Sequence, residues 1–134
     1  MIDLQARFIE VAESLTAERR DRPGVCGRWS PREVVAHISG WDAEVLRQFE
    51  IFGSGYTVEI RHDIDEFNAR SVESRADLSW QATVEELRNI HRRYPAAIAR
   101  VTVLQREPNP QYREWLEVLT DHYRHHTAQL QRWQ

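Results

Sequence analysis

Trp29-Ser30-Pro31-Arg32-Glu33-Val34-Val35-Ala36-His37-Ile38-Ser39-Gly40-Trp41 reads as the opening of a long helix with one buried face. Ser30 suits the N-cap, where its side-chain oxygen accepts from a backbone N–H of the first turn. Pro31 suits the first helical position, which loses no intrahelical bond, and Glu33 is the acid three residues on that completes a capping box. From there Val34, His37, Ile38, Trp41, Val45 and Phe49 recur at helical spacing, so the helix is predicted to run to about Phe52, with Gly40 inside it as a tolerated defect. A stripe of that length has to be buried against other helices.

The flanking segments supply them. Upstream, Ile2 to about Arg20 places Ile2, Phe8, Ile9, Ala12 and Leu15 near one helical face, and Pro23, Gly24 and Gly27 mark the connection that follows. Downstream, Gly53-Ser54-Gly55-Tyr56 is a loop by composition, and a short helix opens near Asp63 with Ile64, Phe67, Asn68 and Val72. Thr83 with Glu86 repeats the capping-box spacing and starts a helix carrying Val84, Leu87, Ile90, Tyr94, Ile98 and Val101, in which Pro95 is expected to make a kink. After a loop at Glu107-Pro108-Asn109-Pro110, the last helix spans about Tyr112 to Trp133, with Trp115, Leu116, Leu119, His122, Tyr123, His126, Leu130 and Trp133 as its stripe. No strand pattern or repeat competes. The expected fold is all-α, a four-helix bundle with an extra short helix in its crossover, forming one domain over residues 1–134.

Composition narrows the functional classes. With 41% apolar residues the chain has material for a core, and five Trp are heavy anchors for it. The net charge of −3, with Arg interspersed among Asp and Glu, leaves no basic patch for phosphates, so nucleic acid is not an expected partner. A single cysteine, Cys26, cannot form an internal disulfide, which points to a reducing cytoplasm. No stretch approaches the roughly 18–20 apolar residues of a membrane span, so no membrane is expected either. Cys26 lies just before the second helix, where a helix N-terminus can activate a thiol, but no histidine partner for it can be named and an incidental loop cysteine is the simpler reading.

Six histidines invite a metal reading. His122 and His126 are four apart on a periodic helix, so both imidazoles leave one face about a turn apart and can share an ion. Both lie on the apolar stripe with Leu119 and Leu130, and His37 lies on the stripe of the second helix. Three imidazoles facing one interior would make an open three-ligand site with a fourth position for water or substrate, the pattern of catalytic zinc. His125 falls on the polar edge of the last helix. His62, near a loop, and His91, beside Arg92 and Arg93, read as surface residues.

The same residues resemble a known family. Trp29 to Trp41 resembles the opening of the second helix in the DinB/YfiT-like superfamily, Asp65-Glu66-Phe67-Asn68 with Ser79-Trp80 and Val84-Glu85-Glu86-Leu87 resembles the middle of its ClbS/DfsB branch, and Asp121-His122-Tyr123-Arg124-His125-His126 resembles its closing motif. The resemblance implies an up-down-down-up four-helix bundle, often a homodimer, with a divalent ion, zinc or nickel foremost, on His37, His122 and His126. It also implies chemistry of two kinds: transfer or isomerisation with a low-molecular-weight thiol, or hydrolysis of an electrophilic small molecule.

The leading reading is therefore a metal-dependent transferase or hydrolase that activates a thiol or water toward a small electrophilic substrate. Glu44 and Asp65 are the candidate general bases, each with a plain surface role as its alternative. Trp41, Phe67, Asn68 and Tyr123, with Trp133, are the candidate substrate contacts. A different class stays open: a metal-free binding or sequestering protein that uses the same aromatic interior as its pocket. So does a bundle whose histidines are structural and whose main property is dimerisation.

Overall fold

A computed structural model describes residues 1–56, 62–104 and 110–134, with backbone alone at 103, 104 and 110. Six helices follow one another: α1 (Ile2–Glu13), α2 (Ala17–Arg20), α3 (Pro31–Gly53), α4 (Ile64–Glu73), α5 (Trp80–Leu104) and α6 (Pro110–Arg132). Among the described residues there is no strand, only an isolated bridge between Cys26 and Trp29. The fold is thus the all-α bundle expected, with α1, α3, α5 and α6 as its long members and α4 in the crossover. The loop predicted at Glu107 to Pro110 lies almost wholly outside the described residues; Pro110 itself starts α6.

The first helix is shorter than predicted. The Ser14 hydroxyl donates to the Val11 carbonyl at 2.6 Å and Thr16 is extended, so the chain leaves the helix at Ser14 and restarts as the single turn α2. Phe8, Ile9, Ala12 and Leu15 are buried as expected, but Ile2 is 40% exposed and Gln5 occupies the inward position one turn on.

The capping box of α3 is complete: Ser30 Oγ accepts from the Glu33 N–H at 3.3 Å, and Glu33 Oε1 accepts from the Ser30 N–H at 3.1 Å. A cap of this kind stabilises a helix start by about 1 kcal/mol. α5 begins a turn earlier than the Thr83–Glu86 spacing implied. Ser79 Oγ accepts from the Ala82 N–H, the buried Thr83 hydroxyl donates back to the Ser79 carbonyl at 2.8 Å, and Glu86 instead pairs with Arg75 at 2.6 Å. Pro95 sits inside α5, which continues to Leu104.

α3 packs most extensively on α5, α1 on α6, and α4 lies against α3. Gly40 is the reason α4 can come so close: a Cβ there would stand 2.1 Å from Ser71 Oγ, so Gly40 is a contact point and not a tolerated defect. Two apolar clusters fill the interior. One gathers Phe8, Val34, Ile38, Leu87, Tyr123 and Leu130, and the other Leu46, Phe49, Tyr94, Val101 and Leu119. Along α3, α5 and α6 the polar residues Asp42, His91 and His122 fall between members of the one cluster and members of the other. Among the described residues, no helix is long and apolar enough to cross a membrane.

Candidate metal centre

α3 delivers His37 and α6 delivers His122 and His126 to one point. His37 Nε2 and His122 Nε2 are 2.8 Å apart, and the ring centroids lie 4.8 Å (His37–His122), 5.1 Å (His37–His126) and 4.6 Å (His122–His126) from one another. One nitrogen from each ring falls within 4.8 Å of the others. A tetrahedral ion with metal–nitrogen bonds of about 2.0–2.1 Å holds its donors about 3.4 Å apart, inside that spread.

The electrostatics suit the same use. Burial, with His126 adding to it and Asn68 opposing, lowers His37 to about 4; burial, then its two partners and His125, lowers His122 to about 3; burial, opposed by a hydrogen bond to Gln129, lowers His126 to about 4. All three are neutral at pH 7, the form that ligates a metal. His126 Nδ1 lies 2.7 Å from Gln129 Oε1, which can only accept, so the proton sits on Nδ1 and Nε2 is left as a donor to an ion. The Trp29 ring lies 4.8 Å from His37.

A cavity of about 670 Å³ opens onto the centre, with His37 and His122, but not His126, on its wall. Trp41, Val45, Trp115 and Leu119 give it apolar faces, and Asn68 and Glu44 give it polar ones. Of the proposed substrate contacts, Trp41 and Asn68 line it, tied together by the Trp41 Nε1–H donating to Asn68 Oδ1 at 2.6 Å. Phe67 stands behind Trp41, ring centroids 4.2 Å apart.

Other expectations are corrected. Tyr123 does not line the cavity: it is 1% exposed, and its ring packs on Phe8 in the apolar core. Trp133 lies away from the cavity, where its Nε1–H donates to the Arg19 carbonyl. Asp65 is exposed in the first turn of α4 and takes no part in the wall. Glu44 is on the wall but is a poor base. Burial would raise its pKa, yet hydrogen bonds from Arg47, Gln48 and His62 outweigh burial and bring it to about 2. Cys26 is half-buried against the apolar cluster beside Trp29 and is not on the wall.

Two histidines read as surface residues are not. His62 lines the cavity, its Nε2 3.1 Å from Glu44 Oε1. His91 is half-buried in a polar knot: its Nε2 is 2.8 Å from Asp42 Oδ2 and 2.6 Å from the Tyr123 hydroxyl, which itself donates to Asp42 Oδ2. The Tyr94 hydroxyl donates to the Asp42 carbonyl at 2.6 Å. Asp42 is fully buried, and burial raises its pKa against the opposing pull of His91. His91 was legible as an inward residue, since it stands four after Leu87 and three before Tyr94.

A family model whose description reads DinB superfamily matches residues 2–130. Among curated proteins and among solved structures, none matches the chain significantly.

Proposed function

The chain belongs to the DinB superfamily, and on that premise we propose that it is a metal-dependent enzyme whose one divalent ion is held by His37, His122 and His126. The observation that supports this most directly is the convergence of three neutral imidazoles from two helices, two buried and His122 half-buried, within 4.8 Å of one another beside a cavity. Zinc and nickel are the ions we propose; three imidazoles suit both, and ligand type alone does not choose between them. Such an ion lowers the pKa of a bound water or thiol and so supplies a nucleophile at neutral pH.

The chain's own residues do the rest. His37 and His122 present the cavity side of the centre, Gln129 fixes the tautomer of His126, and the apolar faces of Trp41, Trp115, Val45 and Leu119 exclude water and hold the carbon skeleton of a small electrophilic substrate. Asn68, bonded through its oxygen to Trp41 and set beside His37, gives the wall a polar edge. We propose hydrolysis or thiol transfer as the reaction type, with a low-molecular-weight thiol as co-substrate in the second case.

One observation favours the metal-free binder: His37 and His122 are close enough to hydrogen-bond each other directly. Protein purified without added metal, then analysed by native mass spectrometry and elemental analysis, separates the two. One tightly held ion per chain, lost in His126→Ala, supports the enzyme reading. An ion-free protein whose melting temperature ignores Zn²⁺ and Ni²⁺ supports the binder.

A further inference from the structure

We infer that His62, oriented by Glu44, takes and returns the proton in the reaction at the three-histidine centre, an inference that rests on the metalloenzyme reading above. His62 shares the cavity wall with His37 and His122 but is not among the three residues whose donors converge, so it faces the space a substrate fills and not the ion site. Its ring packs against the Trp41–Phe67 pair, 4.7 Å from Phe67 and 6.1 Å from Trp41 between centroids, and its Nε2 meets Glu44 Oε1 at 3.1 Å.

Glu44 determines which nitrogen is basic. Arg47 and Gln48 also donate to this carboxylate, whose pKa is brought to about 2, so it is ionised and can only accept. His62 therefore carries its proton on Nε2, and Nδ1 is left with the free lone pair. A carboxylate fixing one tautomer of a histidine beside a reaction space is the arrangement that makes an imidazole a directed base. Glu44, read from sequence as a base itself, becomes a positioning residue.

The step balances. Nδ1 takes the proton from the S–H of a thiol or the O–H of water as that sulfur or oxygen bonds to the electrophilic carbon. The electron pair of the bond that breaks leaves with the departing group, which then receives the proton from Nδ1. Nucleophile and departing group have exchanged places on carbon, and His62 is returned to its starting state with no oxidant or reductant required.

Two measurements on the full chain test this. Long-range proton–nitrogen NMR of the histidine rings at neutral pH, with His62 assigned by its loss in His62→Gln, should show His62 protonated on Nε2, and Glu44→Gln should mix the tautomers. A ring protonated on Nδ1, or one indifferent to Glu44→Gln, overturns the inference whatever the activity. In the second, zinc-loaded protein is assayed with p-nitrophenyl acetate as probe. His62→Gln should lower kcat/KM by about 100-fold, the usual scale of general acid–base catalysis, with zinc content and melting temperature unchanged. If His62→Gln stays within twofold of the unmodified protein while His126→Ala abolishes turnover, the His62 role falls and the metal reading stands. If His126→Ala is harmless, the metal reading falls and the His62 role at that centre falls with it, whatever His62→Gln does.

Discussion

Replacing Gly40 by Ala sets two physical effects against each other, and the structure says which wins. In an unhindered helix interior Gly→Ala stabilises by about 1 kcal/mol. Here the added Cβ would stand 2.1 Å from Ser71 Oγ and 2.4 Å from Ser71 Cβ. Carbon atoms pack at about 3.5–4.0 Å, so α4 must retreat by about 1 Å or more. Rotating the Ser71 hydroxyl relieves only the first contact. Overpacking costs about 1–3 kcal/mol, and a retreating α4 also strains the Trp41–Asn68 hydrogen bond at the cavity wall, worth about 1 kcal/mol. The expected net result is a loss of about 2 kcal/mol, a fall in Tm of about 6–10 °C for a domain of this size. Urea denaturation followed by circular dichroism, with scanning calorimetry, measures it. Ser71→Gly in the Gly40→Ala background should recover most of the loss because it removes both atoms, whereas Ser71→Ala keeps the Cβ at 2.4 Å and should not. A Gly40→Ala protein as stable as the parent, or an equal rescue by Ser71→Ala, would refute the close-approach argument.

Gln129→Leu should leave the fold intact but weaken Zn²⁺ affinity about 10–100-fold, measured by competition with a chromogenic chelator, because the His126 tautomer is no longer held. Tyr123→Phe leaves Asp42 Oδ2 with His91 alone and should cost about 1–3 kcal/mol in urea unfolding; a neutral result would mean the buried hydroxyl contributes nothing. The metal-free protein should be acid-sensitive. His37, His122 and His126 fall from 6.5 to about 4, 3 and 4 on folding, so the unfolded chain binds more protons below about pH 6.5. Its stability should be full above that pH and decline toward about pH 4, with bound Zn²⁺ opposing the decline through its affinity for the folded state; a flat profile in chemical denaturation across that window would count against three imidazoles held neutral by the fold.

What the sequence disclosed and what it withheld divide along one line. The Ser30–Glu33 cap, the stripes of α3 and α6 and the inward placement of His37, His122 and His126 are periodic, local features, and a single helix is enough to display them. Asp42 could not be read that way. A carboxylate is seldom fully buried, and only its partners on α5 and α6 explain why this one is. His91 reads as a surface residue because Arg92 and Arg93 follow it, although each residue advances about 100° around a helix and exposed neighbours say little about the residue before them. Tyr123 and Trp133 share a stripe with the histidines, which from sequence alone points them to the same pocket. The stripe is wider than the cavity, and its far edge and far end face the apolar core and α2. Ser14 and Ser79 show the same limit at helix ends, where one hydroxyl bond to the backbone moved a boundary that periodicity could not fix.

The knot around Asp42 bears on the metal centre through the geometry of α6. Tyr123 follows His122 and is turned about 100° from it, so it cannot point where His122 and His126 point. It is pinned instead to Asp42 on α3 and His91 on α5, the two helices that pack most closely on each other. With Tyr123 fixed, the rotation of α6 about its own axis is fixed, and His122 and His126 are held toward His37 on α3. A turn of α6 by one residue would tear the hydroxyl from a fully buried carboxylate and swing His122 away from His37 in the same motion. Asp42 Oδ2 would then keep His91 alone, and leaving a fully buried acceptor short of a partner costs about 1–3 kcal/mol. The polar knot and the three imidazoles are therefore one decision about helix rotation, made where the two apolar clusters meet and leave room for polar side chains between them.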